Sequence, residues 1–129
     1  MEQGRSISEA VLDCAFEVSN CLGVGFLESV YENAMCVELK RHGLTLQQQK
    51  PLKVIYKGEV VGDFVTDIIV ENKLLIELKV VNEFNPAHKA QVINYLKATG
   101  LPVALLLNFG TPKLGIKRIV HQYSKTEVI

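Results

Sequence analysis

The stretch DIIVENKLLIELKVV, which runs from Asp67 to Val81, decides the fold of this chain. Two apolar segments flank the polar residues 71–73, and this pattern predicts two strands joined by a tight turn. Three ionisable side chains, those of Asp67, Glu77 and Lys79, lie within the apolar segments. Charged side chains are rarely buried without a partner, so their placement predicts either an exposed strand face or a functional site.

Side chains alternate between the two faces of a β-strand. Glu77 and Lys79 are two residues apart, and they therefore share one face of the second strand. Ile76, Leu78 and Val80 take the opposite face, where we expect them to lie in the hydrophobic core. The strand itself thus separates the charged pair from these core residues.

The register of the hairpin decides whether Asp67 lies beside Glu77. A three-residue tip pairs Val70 with Leu74. This register places Asp67 opposite Glu77, whereas a two-residue tip sends Glu77 to the far face of the sheet. Asn72 tolerates the left-handed backbone conformation that a three-residue tip needs. A shared site therefore predicts an odd-numbered tip, or a bulge that has the same effect.

Two carboxylates on adjacent strands repel each other, and burial makes each negative charge costly. Lys79 offsets one of these charges, so we predict that a hard divalent cation, Mg²⁺ or Mn²⁺, binds between Asp67 and Glu77. Such an ion generates hydroxide near neutral pH and stabilises charge on a phosphoryl group, while Lys79 orients the water or neutralises the developing charge. The alternative is a solvated strand face with a cross-strand ion pair.

The rest of the chain predicts a single α/β domain over residues 1–129, with a mixed sheet flanked by helices. The apolar run PVALLLNF is typical of a central buried strand, and Pro51 is expected to interrupt the first strand. The predicted helices span residues 6–22, 26–42 and 85–99, and the predicted strands span residues 44–56, 60–70, 74–81, 102–109 and, at an edge, 117–120.

The 129 residues carry no net charge, but the charges are unevenly distributed. Residues 1–42 have a balance of −4, whereas residues 86–129, with one acidic and six basic residues, have a balance of +5. The neutral total argues against strong unspecific binding of nucleic acid, and a polyanion would meet the C-terminal third. No apolar run approaches the roughly 20 residues that span a bilayer, and the N-terminus has no apolar signal region. We expect a cytoplasmic protein with no membrane partner.

Asp67 followed by Glu77-Leu-Lys79 resembles the D…(D/E)XK signature of the PD-(D/E)XK nuclease superfamily. The αβββαβ core order of that restriction-endonuclease-like fold is similar to the order predicted for residues 26–108. Thr66 stands where the superfamily name has a proline, which is a departure from the pattern.

Two further motifs carry the resemblance. Gln91 and Tyr95, in QVINY, resemble the QxxxY element that follows D…ExK in RecB-like nucleases. GFLESVY, at residues 25–31, resembles the motif that names the bacterial GxxExxY proteins. The stretches QKPLKVIYKG, VGDFVTDIIVE, HKAQVINYLKATGL and LLNFG are also similar to that family, so the resemblance covers about residues 8–120.

The resemblance implies a role for each matching residue. Asp67 and Glu77 would bind the metal ion, with the Leu78 carbonyl as a further ligand. Lys79 would be the catalytic lysine. Glu28 would be an additional acid that reaches the metal directly or through water. For Glu28 an ordinary first-turn acid, favoured by the helix dipole, is the alternative.

Gln91 and Tyr95 would position the metal site or the substrate phosphate, and an amphipathic pair packed on the sheet is the alternative. Gln47 and Gln49 share one predicted strand face, where they contact the substrate backbone or form a polar edge. We expect Glu32, four residues after Glu28, to lie on the surface.

Three functions remain open at this point. The first is a Mg²⁺-dependent nuclease that cleaves phosphodiester bonds in DNA, with RNA as a second substrate class. The second is a catalytically silent module on the same fold that binds nucleic acid or protein. The third is a hydrolase of small phosphate esters. A homodimer would widen the surface that a nucleic acid contacts, and the basic C-terminal third would contribute to it.

Overall fold

The computed structural model describes residues 6–121. Its helices and strands follow the predicted order, and the last strand adds a fifth to the sheet. In chain order the elements are α1 (Ile7–Leu22), α2 (Glu28–Arg41), β1 (Leu46–Tyr56), β2 (Glu59–Val70), β3 (Leu74–Lys79), α3 (Pro86–Thr99), β4 (Val103–Asn108) and β5 (Gly115–Val120). The predicted α/β fold with a mixed sheet and flanking helices is confirmed.

The five strands lie in the order β1-β2-β3-β4-β5. β3 and β4 are parallel, and the other neighbouring pairs are antiparallel. A parallel pair needs a crossover connection, which α3 supplies between β3 and β4. The end of the β2–β3 hairpin opposite its tip, which we call the open end, includes the end of β3 at Lys79. In the chain it is followed closely by the start of α3 at Pro86.

Each face of the sheet has its own core. Ile76 and Leu78 are fully buried against α1 and α2, and Val80 packs against the same cluster, as the alternation predicts. On the opposite face Leu75 packs with residues of α3, among them Val92 and Leu96. Glu77 and Lys79 follow Leu75 at two-residue steps, so they belong to the face that α3 covers.

The predicted interruption of the first strand at Pro51 is wrong. Pro51 pairs with Val65 inside β1, because an edge strand has N–H positions that face away from the sheet and tolerate proline. Gln49 is irregular, with φ of +54° and no pairing partner in β2, but the register is unchanged on either side of it and shifts only between Val54 and Ile55. This irregular residue stands opposite Asp67 in the register of the two strands.

The third strand ends at Lys79, two residues before its predicted end. Beyond Lys79, the backbone N–H and carbonyl of Val81 bond to the side-chain amide of the buried Asn108, at 3.0 and 2.9 Å. Gly110 permits this contact, since a Cβ there would lie 2.5 Å from the Val81 backbone. In the part of the chain described, no helix has both the length and the apolar character to cross a membrane.

Candidate metal centre

The tip of the β2–β3 hairpin has the register that the sequence predicts for a shared site. Val70 pairs with Leu74, and the Lys73 N–H donates to the Val70 carbonyl across a three-residue tip. Glu71 and Asn72 both take the left-handed conformation, with φ of 55° and 54°. In this register the side chains of Asp67 and Glu77 lie on the same face of the sheet.

The regular backbone pairing ends three residues from the tip, at Ile68 and Ile76. Beyond this point the two acids replace it. The Asp67 N–H donates to Glu77 Oε2 at 2.8 Å, and the Leu78 N–H donates to Asp67 Oδ2 at 2.8 Å. These reciprocal bonds hold the two carboxylates between the strands and fix the orientation of each.

Both acids hold protons more tightly than free carboxyl groups do. Glu77 is 4% exposed, and burial followed by repulsion from Asp67 raises its pKa to about 8. Burial also raises the pKa of the half-buried Asp67 to about 6, although the Leu78 N–H opposes this change. The pair therefore retains a proton near neutral pH, since two buried like charges are unfavourable.

Lys79 and Gln91 meet beside this pair. The Lys79 ammonium donates to Gln91 Oε1 at 3.1 Å, which joins the end of β3 to α3. The positive charge of Lys79 lowers the pKa of both Asp67 and Glu77, without overcoming the effect of their burial. The Gln91 side chain thus restrains the Lys79 ammonium beside the two acids.

Tyr95 lies one helical turn after Gln91 and packs flat on Phe64 of β2, with ring centroids 4.4 Å apart. Burial raises the pKa of the Tyr95 hydroxyl, and the charges of Glu77 and Asp67 add to this effect. Both members of the QxxxY pair therefore lie near the acids. The phenol combines a packed ring with a polar end that faces this region.

Glu28 is the first residue of α2 and lies at the margin of the centre. Partial burial raises its pKa, which the charge of Lys79 lowers, and its own charge raises the pKa of Asp67 and Glu77. Within residues 6–121, no three His, Cys, Asp or Glu side chains lie close enough together to hold a metal ion. Glu28 is therefore near the pair electrostatically without completing a three-carboxylate cluster.

The expectation that Glu32 lies on the surface is wrong. Glu32 is 6% exposed, and its carboxylate accepts hydrogen bonds from the side-chain amides of Gln48 and Gln49 at 2.7 to 3.0 Å. The left-handed Gln49 turns two consecutive amides toward one acid, so the predicted shared face of Gln47 and Gln49 is also wrong. Three consecutive glutamines, followed by a lysine and a proline, mark this bend in the sequence.

The chain is similar to known proteins in sequence pattern and in fold. A family model described as the PD-(D/E)XK nuclease superfamily matches residues 5–119. The chain belongs to the PD-(D/E)XK nuclease superfamily. No curated protein matches the chain.

Two solved structures share the fold. One, titled crystal structure of SSO0001, has a TM-score of 0.60 at 17% identity and covers 78% of this chain. This chain spans only 54% of that structure. Another is an alkaline exonuclease from Laribacter hongkongensis, with a TM-score of 0.55 at 13% identity. This match covers 99% of the present chain and 76% of the exonuclease chain. At these identities the likeness establishes the fold.

The residues present fit a hard divalent cation. Mg²⁺ commonly takes one or two carboxylates and completes its shell with water and a phosphate oxygen. Asp67 and Glu77 supply two fixed carboxylates, and each uses one oxygen for the neighbouring strand. A divalent charge between them would offset the cost of burying both acids in ionised form and the repulsion from Asp67 that helps raise the pKa of Glu77.

Proposed function

We propose that this chain is a Mg²⁺- or Mn²⁺-dependent nuclease of the GxxExxY type, which hydrolyses phosphodiester bonds in nucleic acid. The observation that carries the proposal is the reciprocal hydrogen bonding of two buried acids, Asp67 and Glu77, beside the ammonium group of Lys79. Their raised pKa values reflect the cost of ionising two buried acids side by side, and a bound cation would offset this cost.

Asp67 and Glu77 would hold the ion, with the Leu78 carbonyl as a further ligand and Glu28 acting through water. When bound, the divalent cation supplies Lewis acidity toward a phosphoryl oxygen and lowers the pKa of water. Lys79 would donate to a substrate oxygen and neutralise charge as it develops in the transition state.

Gln91 and Tyr95 would orient these groups. Gln91 accepts from the Lys79 ammonium and limits the positions that the flexible lysine side chain visits. Tyr95, with its ring held against Phe64, presents its hydroxyl to the acids or to a substrate phosphate. A positioned group of this kind reduces the reorganisation needed during the reaction.

DNA is the substrate class that we favour, with RNA as the second possibility within the same chemistry. The basic balance of residues 86–129 supports a polyanionic substrate, and the neutral total supports a weak binder or a homodimer with a wider contact surface. We place the protein in the cytoplasm and regard residues 1–129 as one domain.

One observation favours the catalytically silent binding module. Each acid of the pair accepts a backbone N–H of the other strand, which is a structural role that needs no ion. In that case the carboxylates would replace two missing backbone hydrogen bonds, and Lys79 would only balance their charge. The nuclease should bind a divalent metal ion, whereas the binding module should not.

The test measures melting temperature with and without Mn²⁺, for the native protein and for Asp67→Asn. At 100 times the dissociation constant a bound ion adds about 2.7 kcal/mol to the free energy of unfolding, and Asp67→Asn should lose this gain. Asp63→Asn is the matched control, because Asp63 lies on the same strand in an exposed ion pair with Lys53.

Cleavage is then measured on single-stranded, duplex and branched DNA and on RNA, with each divalent ion. Metal-dependent cleavage that Asp67→Asn loses and Asp63→Asn retains would support the nuclease. A native protein that neither gains stability from Mn²⁺ nor cleaves any of these substrates would favour the binding module instead.

A further inference from the structure

The start of α2, which carries Glu28, lacks an ordinary N-cap. Leu27 occupies the cap position and offers no side-chain acceptor. Helix termini leave several N–H groups without partners, and Ser, Thr, Asp or Asn usually satisfies one of them. A helix end without this support tends to fray, so some other group must hold the first turn that carries Glu28.

The hydroxyl of Tyr31 does not cap the helix, but it fixes the loop from which the first turn begins. It donates to the Gly23 carbonyl at 2.6 Å and accepts from the Phe26 N–H at 3.3 Å. Gly23 is the C-cap of α1, and Phe26 directly precedes the N-cap of α2. One buried oxygen therefore joins the end of α1 to the loop from which α2 begins.

The ring of Tyr31 continues the connection into the sheet. It is fully buried and stacks on Phe109, with ring centroids 4.9 Å apart. The Phe109 N–H in turn donates to the Lys79 carbonyl at 2.9 Å. A continuous set of contacts thus runs from the loop before Glu28, through Tyr31 and Phe109, to the backbone of Lys79.

We propose that Tyr31 is a positioning residue that holds Glu28 in place relative to Lys79, and so sets the contribution of Glu28 to the metal centre. The inference rests on the proposed function for its metal. It gives a physical reason for the spacing of Gly25, Glu28 and Tyr31: the glycine makes the bend, the acid begins the helix, and the tyrosine, one turn later, holds the bend from inside.

The bend itself offers an independent way to disturb Glu28. Gly25 has φ of +114°, which an L side chain rarely adopts, and nothing lies within 4 Å of an added Cβ. Gly25→Ala therefore strains the loop without a clash and without altering Tyr31. Two variants, Tyr31→Phe and Gly25→Ala, thus perturb the same helix start by different means.

The experiment measures Mn²⁺ affinity by electron paramagnetic resonance for the native protein, for Tyr31→Phe, Gly25→Ala and Glu28→Gln, and for the double variant of Tyr31→Phe and Glu28→Gln. Loss of a supporting group typically weakens metal affinity by roughly 10-fold. We expect this loss for Tyr31→Phe and Gly25→Ala, and no further loss when Tyr31→Phe is added to Glu28→Gln, because the two residues act as a unit.

A stability control separates positioning from general loosening. Val18→Ala removes buried side chain from the same core on α1 and leaves the loop contacts in place. We expect it to lower the melting temperature without changing Mn²⁺ affinity. Amide exchange of residues 24–28 should accelerate in Tyr31→Phe and not in Val18→Ala.

The outcomes are distinct. Unchanged Mn²⁺ affinity in Tyr31→Phe, or additive losses in the double variant, would overturn the positioning role while the native protein still binds Mn²⁺. A native protein without Mn²⁺ binding would overturn the proposed function, and the inference would fall with it.

Discussion

The two ends of the β2–β3 hairpin use the same contact with opposite electrostatic results. At the tip, the Glu71 carboxylate accepts the Thr45 N–H at 2.7 Å and the Thr45 hydroxyl at 2.8 Å, and these bonds lower its pKa. At the open end, Asp67 and Glu77 also accept backbone N–H groups, yet the pKa of each is raised. A hydrogen bond alone does not decide the charge state of an acid.

Solvent and like charge account for the difference. Glu71 faces water and has no acid beside it among its close contacts, so its ionised form gains from both bonds. Glu77 is buried next to Asp67, and desolvation together with repulsion outweighs one N–H donor. The ionised form of Glu71 at the tip is therefore stable without a ligand, whereas full ionisation of the acids at the open end is unfavourable and would be favoured by a bound cation.

Neutralising the open end should have the largest effect on activity. Glu77→Gln keeps an acceptor for the Asp67 N–H but removes a proposed metal ligand, so we expect metal-dependent cleavage to fall at least about 100-fold. This loss is measured by the initial rate of cleavage of the preferred substrate. Glu71→Gln is the matched control at the tip and should retain activity; a Glu77→Gln rate within a few fold of native would contradict the assignment.

The stability of the metal-free protein should depend on pH because of the same pair. Between the ordinary pKa of Glu77, 4.5, and its folded value of about 8, the folded protein binds more protons than the unfolded chain. Stability therefore falls as pH rises through this window, by up to roughly 2 kcal/mol between pH 5.5 and 8.

Urea unfolding in the presence of a chelator measures this trend. Glu77→Gln carries no titrating group at 77, so its unfolding free energy should depend less on pH and should exceed that of the native protein at pH 8. Equal slopes in the two proteins would show that the acids are not held as the structure places them.

The hairpin illustrates how much of the candidate site can be predicted from the sequence. Period-two alternation and the left-handed tolerance of Asn72 fix the register, so the approach of Asp67 and Glu77 is predictable from the residues between them. Burial of Glu32 was missed, because it depends on a left-handed Gln49 in a strand distant in sequence. Local rules do not specify which non-local partner an acid will find.

The end of β3 was missed for a similar reason. The sequence shows an asparagine at the end of the apolar run PVALLLNF, but only the structure shows that it is buried and that its partner is the backbone of Val81, 27 residues earlier. Side chains that bond to a distant backbone leave no periodic signal. The overall order of elements, which depends on local patterns, was predicted correctly.

Substitution of Gln91 should have an intermediate effect on activity, because Gln91 acts on the acids of the open end through Lys79. Gln91→Leu removes the acceptor at 3.1 Å and leaves the lysine free to move, so we expect the cleavage rate to fall about 10-fold. The proposed rise in melting temperature with Mn²⁺ should remain, since Gln91→Leu leaves the proposed metal ligands Asp67 and Glu77 unchanged. Asn94→Leu, an exposed position on the same helix, is the control, and loss of Mn²⁺ binding in Gln91→Leu would assign Gln91 a different role.

The smallest effect belongs to the tip, and its pH dependence should have the opposite sign. The pKa of Glu71 lies below its ordinary value of 4.5, so its ionised form stabilises the fold above that pH, and this contribution is lost as pH falls through the folded pKa. Glu71→Gln should therefore melt slightly below the native protein at pH 7 and at the same temperature in strong acid. If the difference between the two proteins grew on acidification, the bonds to Thr45 would not depend on charge, and the contrast between the two ends of the hairpin would fail.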